Sequence, residues 1–513
     1  MDGQRGEAEE WEVFGRPLFD DPSVRALSRV GVIDVGSNSV RLVIFDGAAR
    51  SPAYFYNEKV LAGLGAGLGE TGHLNPEGRV RALSALKRFA AVARAAKVKD
   101  ITIVATAAVR DATDGAAFRS DVEAATGLKI WVVDGREEAR LSAQGVLLGW
   151  PGSYGLVCDI GGSSMELATI EGGKVGLRET SALGPLKLAP VKGGKKGRRA
   201  VIDAALTRMQ DALGAQRNRL FLVGGSWRAF ARIDMERRNY PLRVLHEYRM
   251  TAKDVRETAE FLAASDPDEL RARCGISSTR MGLVPLAAEV LVRLVSRFKP
   301  HDIAISAYGI REGLLYEQMP QRLRERDPLV EACRHAERKD ARLPGFGKRL
   351  FEFIEPLLPK GDMARRRLAK AACLLHDVSW RAHPDYRAEV CFDTATRANL
   401  GGLKHSERVF LGLALHHRYK SGRDGSRIAA LIPMLSEAEL HDAEVLGKAM
   451  RFGAMLWADA PSTVARLAWA PKKKVLTLTI SKDAEALYGE VVAARYQALG
   501  GALGAETVVN VSK

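Results

Sequence analysis

Apolar and polar residues alternate along the chain in a way that predicts two β-hairpins of the same design. The first covers residues 31–45 and the second residues 155–169, and in each a run of apolar positions is interrupted by a turn of small residues. Apolar runs separated by glycine and serine are typical of strand, turn and strand. The corresponding positions, first copy before second, are Asp34 and Asp159, Gly36 and Gly161, Ser39 and Ser164, and Leu42 and Leu167. The chain therefore contains an internal repeat.

Strand and helix patterns alternate after each hairpin. After the first, the pattern predicts helices over residues 77–97 and 116–126, strands over 101–105 and 130–133, and a helix beginning within 135–140. After the second, it predicts a helix over 200–216, a strand over 220–223, a turn at 224–226, a helix from 227, and a strand running into a helix over 303–316. Such alternation indicates α/β layers. We expect two similar α/β lobes with a cleft between them.

The chain changes character near residue 321. Segments rich in Ala, Leu and Arg continue to about residue 470, and the next clear strand pattern covers 474–480. Long segments of helix-favouring residues predict a mainly helical domain. The predicted organisation is an N-terminal extension over 1–29, a first lobe over 30–143, a second lobe over 144–320 whose last helix could pack back on the first lobe, and a mainly helical domain over 321–513.

The N-terminal extension is polar and lacks the basic-then-apolar order of a secretory signal. No apolar run approaches the roughly 20 residues that a membrane-spanning helix needs. The five cysteines are scattered and form no CxxC pair, which favours reduced, buried thiols over disulfides or a zinc site. We therefore expect a cytoplasmic protein without a membrane partner, and we assign no role to the extension.

The charge balance favours a polyanionic partner. Lys and Arg outnumber Asp and Glu by 77 to 62, a formal net charge of +15. Such a field attracts nucleic acid, acidic membrane and inorganic polyphosphate alike. Aromatic residues make up only 7% of the chain and do not interleave with the basic residues, so no specific nucleic acid is expected.

The turns of the two hairpins are candidate phosphate-binding sites. A turn of small residues after a strand exposes successive backbone N–H groups, which can bind phosphate oxygens. One such turn is weak evidence, because most are ordinary tight turns. Two turns facing one cleft could hold neighbouring phosphates of one substrate, which favours a function. A third turn, Gly224-Gly225-Ser226, also follows a strand and precedes a helix.

Acidic side chains lie in or beside the hairpin turns. Asp34, Asp159 and Glu166 would repel a substrate phosphate unless a cation offset their charge. Magnesium is the expected cation, since it takes hard oxygen ligands and often combines one or two carboxylates with substrate phosphates. Arg41 stands where the second copy has Glu166. One hairpin is therefore expected to contact phosphate directly and the other to hold the metal.

Six motifs, in this order along residues 30–320, resemble those of the exopolyphosphatase and guanosine pentaphosphate phosphatase family. They are Asp34-x-Gly-Ser-Asn-Ser39, Ala105-Thr-Ala-Ala-Val-Arg110, Gly135-x-Glu-Glu-Ala-Arg140, Asp159-Ile-Gly-Gly-Ser-Ser-Met-Glu166, Val223-Gly-Gly225 and Tyr308-Gly-Ile-Arg-Glu-Gly313. The resemblance implies the duplicated ribonuclease-H-like fold of actin, Hsp70 and sugar kinases. It also implies hydrolysis of terminal phosphoryl groups from inorganic polyphosphate or, alternatively, from guanosine pentaphosphate.

The resemblance also implies roles for individual residues. Glu138 matches the catalytic base, and Asp159 and Glu166 match the ligands of Mg²⁺ or Mn²⁺. The residues expected to bind substrate phosphate are Asp34, Gly36, Ser37, Asn38, Ser39, Arg110, Gly161, Gly162, Ser163, Gly224 and Gly225. The sequence departs from the family pattern at Ser163, Ser164 and Ser226, where small or hydroxyl side chains are retained.

Glu138 has two interpretations on residue type alone. Phosphoryl transfer to water needs a base that orients the nucleophile opposite the leaving chain. Alternatively, Glu137 and Glu138 enrich the first turn of a helix in negative charge, which stabilises any helix. Without the family resemblance, the second interpretation is the stronger.

The helical domain contains the adjacent pair His376-Asp377 at the end of an apolar segment. This pair resembles the metal-binding signature of His-Asp phosphohydrolases, for which His335 and Asp459 are candidate further ligands. The spacing is loose, and such domains often keep the fold without the metal, so we do not expect a working second metal site. His405, His416 and His417 are left unassigned.

Two other classes of function, a non-catalytic polyanion-binding protein and a kinase or ATPase, are alternatives to a phosphatase. The basic run Lys192–Arg199 is interpreted as a solvated loop, with gripping of a phosphate chain as the alternative. A non-catalytic polyanion-binding protein would show no metal-dependent phosphate release. A kinase or ATPase of the same fold would require a nucleotide or an acceptor. The sequence does not determine the oligomeric state, and a homodimer is compatible with it.

Overall fold

The computed structural model describes residues 29–46, 50–214, 219–423, 425–456 and 464–512. The chain forms two compact units, and the division falls between Arg326 and Asp327. The first unit contains two α/β lobes, each built on one sheet. The second unit is mainly helical. No helix in the described segments is long and apolar enough to cross a membrane.

The sheet of the first lobe carries the first predicted hairpin at its centre. Its strand order is β3-β2-β1-β4-β5, with β2 antiparallel to β1 and β4 parallel to it. The strands are β1 (Val30–Val35), β2 (Val40–Phe45), β3 (Tyr54–Val60), β4 (Asp100–Ala105) and β5 (Ile130–Val132). The helices are α1 (Leu68–Thr71), α2 (Pro76–Ala95), α3 (Ala107–Asp111), α4 (Gly115–Thr126) and α5 (Gly135–Gly149).

The sheet of the second lobe repeats this arrangement. Its order is β10-β11-β9-β6-β7-β8, so β8, β7, β6, β9 and β11 take the places of β3, β2, β1, β4 and β5. The strands are β6 (Gly155–Ile160), β7 (Met165–Glu171), β8 (Lys174–Ser181), β9 (Arg219–Val223), β10 (Arg249–Met250) and β11 (Asp302–Ile305). The duplicated α/β fold predicted from the two hairpins is thus confirmed.

The helices of the second lobe cover a core of aliphatic side chains. They are α6 (Pro185–Leu188), α7 (Gly194–Leu213), α8 (Gly225–Arg237), α9 (Ala252–Ala264), α10 (Pro267–Cys274), α11 (Ser278–Met281), α12 (Val284–Phe298), α13 (Ile310–Glu317) and α14 (Gln321–Arg324). Val290, Leu291 and Leu294 on one side of α12 are completely buried in this core. This apolar face at helical spacing explains why α12 packs on the sheet.

The helix α13 returns to the first lobe and crosses α5 at very short distance. A Cβ on Gly313 would lie 1.8 Å from the carbonyl oxygen of Leu141, and a Cβ on Gly145 would lie 2.2 Å from that of Gly309. Only glycine permits such close approach of two backbones. The crossing therefore fixes the beginning of α13 relative to α5.

The second unit is a helical layer with one small sheet. Its helices are α15 (Pro328–Asp340), α16 (Phe346–Ile354), α17 (Met363–Leu375), α18 (Arg387–Arg397), α19 (His405–His417), α20 (Ser426–Leu431), α21 (Glu437–Leu456) and α22 (Glu490–Leu503). The sheet has the order β12-β13-β14, formed by Ala465–Ala470, Val475–Ser481 and Glu506–Ser512. The predicted helical character is confirmed.

One expectation is wrong. The basic run was interpreted as a loop, but α7 begins at Gly194, so most of the run is helical. Arg198 forms an ion pair with Glu289 at 2.7 Å, and Arg199 lies 3.7 Å from Asp203. Two of the basic side chains are therefore neutralised within the lobe.

Candidate active site

The two hairpin turns meet in the cleft between the lobes. The hydroxyl of Ser163 donates to that of Ser37 at 3.5 Å. Both turns are closed by the same backbone hydrogen bond. The N–H of Gly36 donates to the carbonyl oxygen of Ser39, and the N–H of Gly161 donates to the carbonyl oxygen of Ser164, each at 3.0 Å. The carbonyls of Ser37 and Gly162 accept backbone bonds from elsewhere in the chain, so they are not presented to an anion.

A cavity of about 470 Å³ opens between these turns. It is lined by every residue predicted for the site except Arg110 and Glu166. The predicted residues that line it are Asp34, Gly36, Ser37, Asn38, Ser39, Glu138, Asp159, Gly161, Gly162, Ser163, Gly224 and Gly225. The structure therefore brings together residues that are as much as 191 positions apart in the chain, from Asp34 to Gly225.

The third turn lies against the end of β6. Gly224 has φ +113°, and a Cβ there would lie 2.6 Å from the carbonyl oxygen of Ile160 and 3.1 Å from Oδ1 of Asp159. A Cβ on Gly225 would lie 2.7 Å from the guanidinium carbon of Arg280. Gly224 therefore needs to be glycine, because of its φ and its close approach to a backbone carbonyl, whereas a Cβ on Gly225 would require the guanidinium of Arg280 to shift.

Four carboxylates converge at one end of the cavity. Asp159 and Glu166 are cross-strand partners in β6 and β7, and Asp159 accepts a hydrogen bond from Ser142. Glu166 accepts a bond from Thr180 at 3.1 Å. Asp34 pairs with Arg311 at 3.2 Å. The fourth carboxylate is Glu138 of α5, and we name these four acids, Asp34, Glu138, Asp159 and Glu166, the acidic end.

The start of α5 directs Glu138 to the acidic end. Asp134 caps the helix by accepting from the N–H of Glu137 at 2.7 Å, and Glu137 pairs with Arg140 at 2.6 Å. Glu138 faces inward and is only 8% exposed. A Cβ on Gly135 would lie 2.4 Å from Oγ1 of Thr180, so the helix begins directly on β8. The helix-stabilising role thus belongs to Glu137, and Glu138 is left for the cleft.

The acidic end is short of positive charge. Burial, followed by the charges of Glu166 and Asp159, raises the pKa of Glu138 well above its ordinary value. Burial, followed by the charge of Asp159, raises the pKa of Glu166 to about 8. Burial also raises the pKa values of Asp159 and Asp34. Oε2 of both glutamates is buried and finds no hydrogen-bond partner among the residues described.

The orphaned Oε2 of Glu166, with Asp159 opposite it on the neighbouring strand, fits a hard divalent cation. Mg²⁺ takes oxygen ligands and usually completes its shell with water and substrate phosphates. Over the described ranges, no group of three or more His, Cys, Asp or Glu side chains is arranged to hold a metal alone. A cation held by two carboxylates, Asp159 and Glu166, and completed by water and substrate oxygens would not require three protein ligands.

Arg110 lies beside Glu138, off the cavity surface. Its NH1 lies 4.0 Å from Oε2 of Glu138 and donates to the carbonyl of Val133 at 3.1 Å, while Nε pairs with Asp111. Glu166 is likewise behind the surface, at 1% exposed. The two predicted residues missing from the lining therefore lie next to it.

Basic side chains line the same cavity. We name them the cationic wall; they are Arg41, Lys59, Arg228, Arg280 and Arg311. Within the described segments, Arg311 is the only member that forms an ion pair with a carboxylate. Arg41 donates instead to the side-chain oxygen of Asn57 at 2.7 Å, and Arg228 to the carbonyl of Ser306 at 3.2 Å.

The wall cations repel one another. Burial and then Arg311 lower the pKa of Arg41 to about 10 and also lower that of Arg228. Burial and then Arg280 lower the pKa of Lys59, and burial and then Arg228 lower that of Arg280. A set of like charges held together in a cleft is suited to binding an anion.

Sequence reasoning identified only part of this wall. Arg41 corresponds to Glu166 in the internal repeat, and Arg311 lies in the motif Tyr308–Gly313. The sequence alone assigns neither residue to the site. Lys59 and Arg280 come from elements whose patterns do not point to one another. The one available signal was in α8, where Arg228 and Arg232 stand four residues apart after a glycine turn, and both line the cavity.

The His376-Asp377 pair lies in the second unit. The guanidinium of Arg342 holds both oxygens of Asp377, at 2.6 and 2.8 Å. Nδ1 of His376 is 2.8 Å from the carbonyl of Cys373, and burial, followed by Arg418, lowers the pKa of His376 to about 4. Asp459 is outside the described residues. Arg342 therefore occupies the oxygens that a metal would need.

The sequence matches two family models. The Ppx/GppA phosphatase family matches residues 43–322, and the C-terminal domain of exopolyphosphatase matches residues 360–509. Retrograde regulation protein 2 of Saccharomyces cerevisiae is 24% identical over an alignment of 449 residues, and the match covers 78% of this chain and 74% of the yeast protein.

The chain is also similar to solved structures. An exopolyphosphatase from Cytophaga hutchinsonii is 25% identical with a TM-score of 0.52, and the match covers 56% of this chain and 97% of that one. A Ppx/GppA phosphatase from Aquifex aeolicus is 22% identical with a TM-score of 0.49, covering 57% and 100%. From the family match, which covers more than half of the sequence, this chain belongs to the Ppx/GppA phosphatase family.

Proposed function

We propose that this phosphatase-family protein is an exopolyphosphatase, which removes terminal phosphoryl groups from inorganic polyphosphate and releases orthophosphate. The observation that carries the proposal is the polarity of the cleft. Buried carboxylates and five basic side chains meet at one cavity, and Arg311 is the only one of these cations that is ion-paired with a carboxylate in the described segments. A linear polyanion whose last group reacts at the acidic end would place its remaining phosphates along the wall.

The reaction transfers one phosphoryl group to water. A water oxygen attacks the terminal phosphorus, the bond from this phosphorus to the bridging oxygen breaks, and the bridging oxygen leaves with the shortened chain. Glu138 would accept a proton from the attacking water. Burial and the neighbouring carboxylates raise the pKa of Glu138 above its ordinary value, which makes its carboxylate a stronger base.

Asp159 and Glu166 are the residues that would hold the divalent cation. The cation, Mg²⁺ or Mn²⁺, would supply positive charge at the reacting phosphate. Ser142 orients Asp159 and Thr180 orients Glu166, so each carboxylate has one oxygen fixed by a hydroxyl. The backbone N–H groups of the two hairpin turns would bind the non-bridging oxygens of the phosphates.

Guanosine pentaphosphate is the second candidate substrate. Leu245, Ile276 and Leu283 also line the cavity and offer an apolar contact that a nucleoside could use. A polyphosphate chain has no group that would benefit from this patch. The wall nevertheless favours polyphosphate, because a longer chain engages more of the cations at once.

The test compares orthophosphate release from long-chain polyphosphate and from guanosine pentaphosphate, each with and without Mg²⁺, in low salt. We expect Mg²⁺-dependent release from both and a higher kcat/KM for polyphosphate. Equal or better use of the nucleotide would transfer the assignment to the pentaphosphate reaction. Tight binding of polyphosphate with no release under any metal condition would instead indicate a non-catalytic polyanion-binding protein.

A further inference from the structure

A buried acid outside the predicted site lies next to the cationic wall. Glu312 is the third residue of α13 and is 0% exposed. Its Oε2 accepts from the N–H of Gly309 at 2.8 Å, and its Oε1 accepts from the hydroxyl of Tyr54 at 2.7 Å. Both donors are neutral. Burying a carboxylate is strongly unfavourable unless positive charge lies nearby.

Arg311 directly precedes Glu312 on α13, and three wall arginines, Arg311, Arg228 and Arg41, interact electrostatically with Glu312. Burial alone would lower the pKa of Arg311, but Glu312 is the strongest opposing influence and the net pKa is raised. Glu312 also opposes the lowering of the pKa values of Arg228 and Arg41, which burial and then Arg311 cause. The charge of Glu312 therefore acts on the wall without touching any member through a direct ion pair in the described part of the chain.

The two partners of Glu312 belong to elements that carry wall cations. Gly309 and Arg311 both line the cavity, and α13 is held on α5 at the glycine crossing. Tyr54 is the first residue of β3, the strand that also carries Lys59, and its ring packs against Phe45 at 5.7 Å. Glu312 thus connects the start of α13 to the edge strand of the first lobe.

We propose that Glu312, held in place by Tyr54, is the internal counter-anion of the cationic wall. It is a positioning residue: it keeps Arg311, Arg228 and Arg41 together while the cleft is empty, and substrate phosphates take over this compensation when they bind. The inference rests on the proposed function, since it takes a phosphate chain to be the ligand of the wall.

The test measures unfolding temperature with and without inorganic tripolyphosphate, in a Glu138→Gln background that limits hydrolysis of the probe. Adding Glu312→Gln removes the charge but nearly keeps the shape, so the empty protein should unfold about 3 to 6 °C lower. Saturating tripolyphosphate should reduce this difference by more than half, because the ligand supplies the missing negative charge. A purely structural defect would leave the difference unchanged with ligand present, and that result would overturn the proposal.

Two further variants separate the charge from the hydrogen bond. Tyr54→Phe keeps the charge of Glu312 and removes its hydrogen bond from the tyrosine. This variant should lower the unfolding temperature by less than Glu312→Gln does, and tripolyphosphate should reduce that lowering too. Tyr56→Phe is the matched control, because Tyr56 lies two residues along the same strand and its hydroxyl bonds to Glu58; it should show no difference that depends on ligand. If Glu312→Gln does not fold, the test rests on Tyr54→Phe. A lowering of its unfolding temperature that tripolyphosphate does not reduce overturns the proposal.

The experiment also distinguishes failure of this inference from failure of the proposed function. If tripolyphosphate does not raise the unfolding temperature of the Glu138→Gln protein at all, the wall is not a phosphate site and both proposals fall. If it raises that temperature but leaves the Glu312→Gln difference unchanged, only the counter-anion proposal falls.

Discussion

Glu137 and Glu138 are neighbours in the chain but have different surroundings. Glu137 is partly exposed and pairs with Arg140, which in turn reaches Glu317. Glu138 is buried among like charges, and its Oε2 has no hydrogen-bond partner in the described segments. Such an arrangement destabilises the folded protein, and strain of this kind is typical of functional sites. The two residues therefore form a natural pair for a controlled comparison.

We predict that Glu138→Gln lowers the turnover of polyphosphate by roughly a hundredfold to ten-thousandfold, the range expected for a general base. Substrate binding and the fold should be retained, because the amide has nearly the same size. Glu137→Gln is the control and should stay within about threefold of the wild type, since only a partly exposed ion pair is lost. Turnover of Glu138→Gln within a fewfold of the wild type would remove this residue from the mechanism.

We predict that Asp159→Asn and Glu166→Gln each raise the Mg²⁺ concentration needed for half-maximal activity, because an amide is a weaker ligand than a carboxylate. An activity titration with Mg²⁺ measures this shift. Superimposable titrations for both variants and the wild type would exclude these carboxylates as ligands.

The pKa of Glu166 gives the metal requirement a pH dependence. Its folded-state pKa of about 8 lies above its ordinary value, so without metal this group contributes stability at low pH that is lost as pH rises through about 8. Mg²⁺ competes with the proton, so its apparent affinity should rise by up to about tenfold per pH unit below pH 8 and then level off. Metal titrations at pH 6, 7, 8 and 9 test this. An affinity independent of pH over that range would contradict the prediction.

The elements that build the site differ in how well their sequences predict their structure. The hairpins were predictable because their apolar strands and glycine turns are local patterns that occur twice. The start of α7 was not predictable from the sequence. Gly193 takes a left-handed conformation, the first turn is basic, and no side chain caps the helix. Each of these features is unfavourable to a helix that begins there. The wall was largely missed because its cations come from separate elements that only the tertiary fold brings together.

The crossing of α5 and α13 is the element-scale feature that positions both Glu138 and Arg311. We predict that Gly313→Ala lowers the unfolding temperature of this unit by at least about 5 °C and reduces activity, because the added Cβ cannot fit 1.8 Å from a carbonyl oxygen. Gly69→Ala is the control, since Gly69 is also helical and its added Cβ would meet nothing closer than the end of Lys187 at 3.8 Å. Equal unfolding temperatures for the two variants would show that the crossing is not tight.

On the scale of the whole molecule, the α/β fold, its duplication and the mainly helical second unit were predictable from sequence. Most of the predicted site residues line one cavity, although their individual roles stay predictions. The first and third strands of the small sheet were missed. Their segments, 465–470 and 506–512, lie far apart in the chain and pair only through the central strand.

We predict that His376→Ala leaves release of orthophosphate within about twofold of the wild type. The residues proposed for hydrolysis all lie in the first unit, and Arg342 already holds the carboxylate next to His376. Activity assays should be paired with an unfolding measurement, because His376 is buried and its loss should destabilise its own unit. A well-folded variant without activity would show that the second unit takes part in catalysis.

The most direct test of the account is the product pattern from polyphosphate chains of one uniform length. The acidic end and the cationic wall orient the chain, so the account predicts that the wild-type protein with Mg²⁺ releases orthophosphate and leaves chains shortened from the end. The Glu138→Gln protein should release almost none. Gel separation of the products with a parallel orthophosphate assay measures both. Fragments of intermediate length from internal cleavage at the start of the reaction, or the same orthophosphate release from the Glu138→Gln protein, would contradict the account.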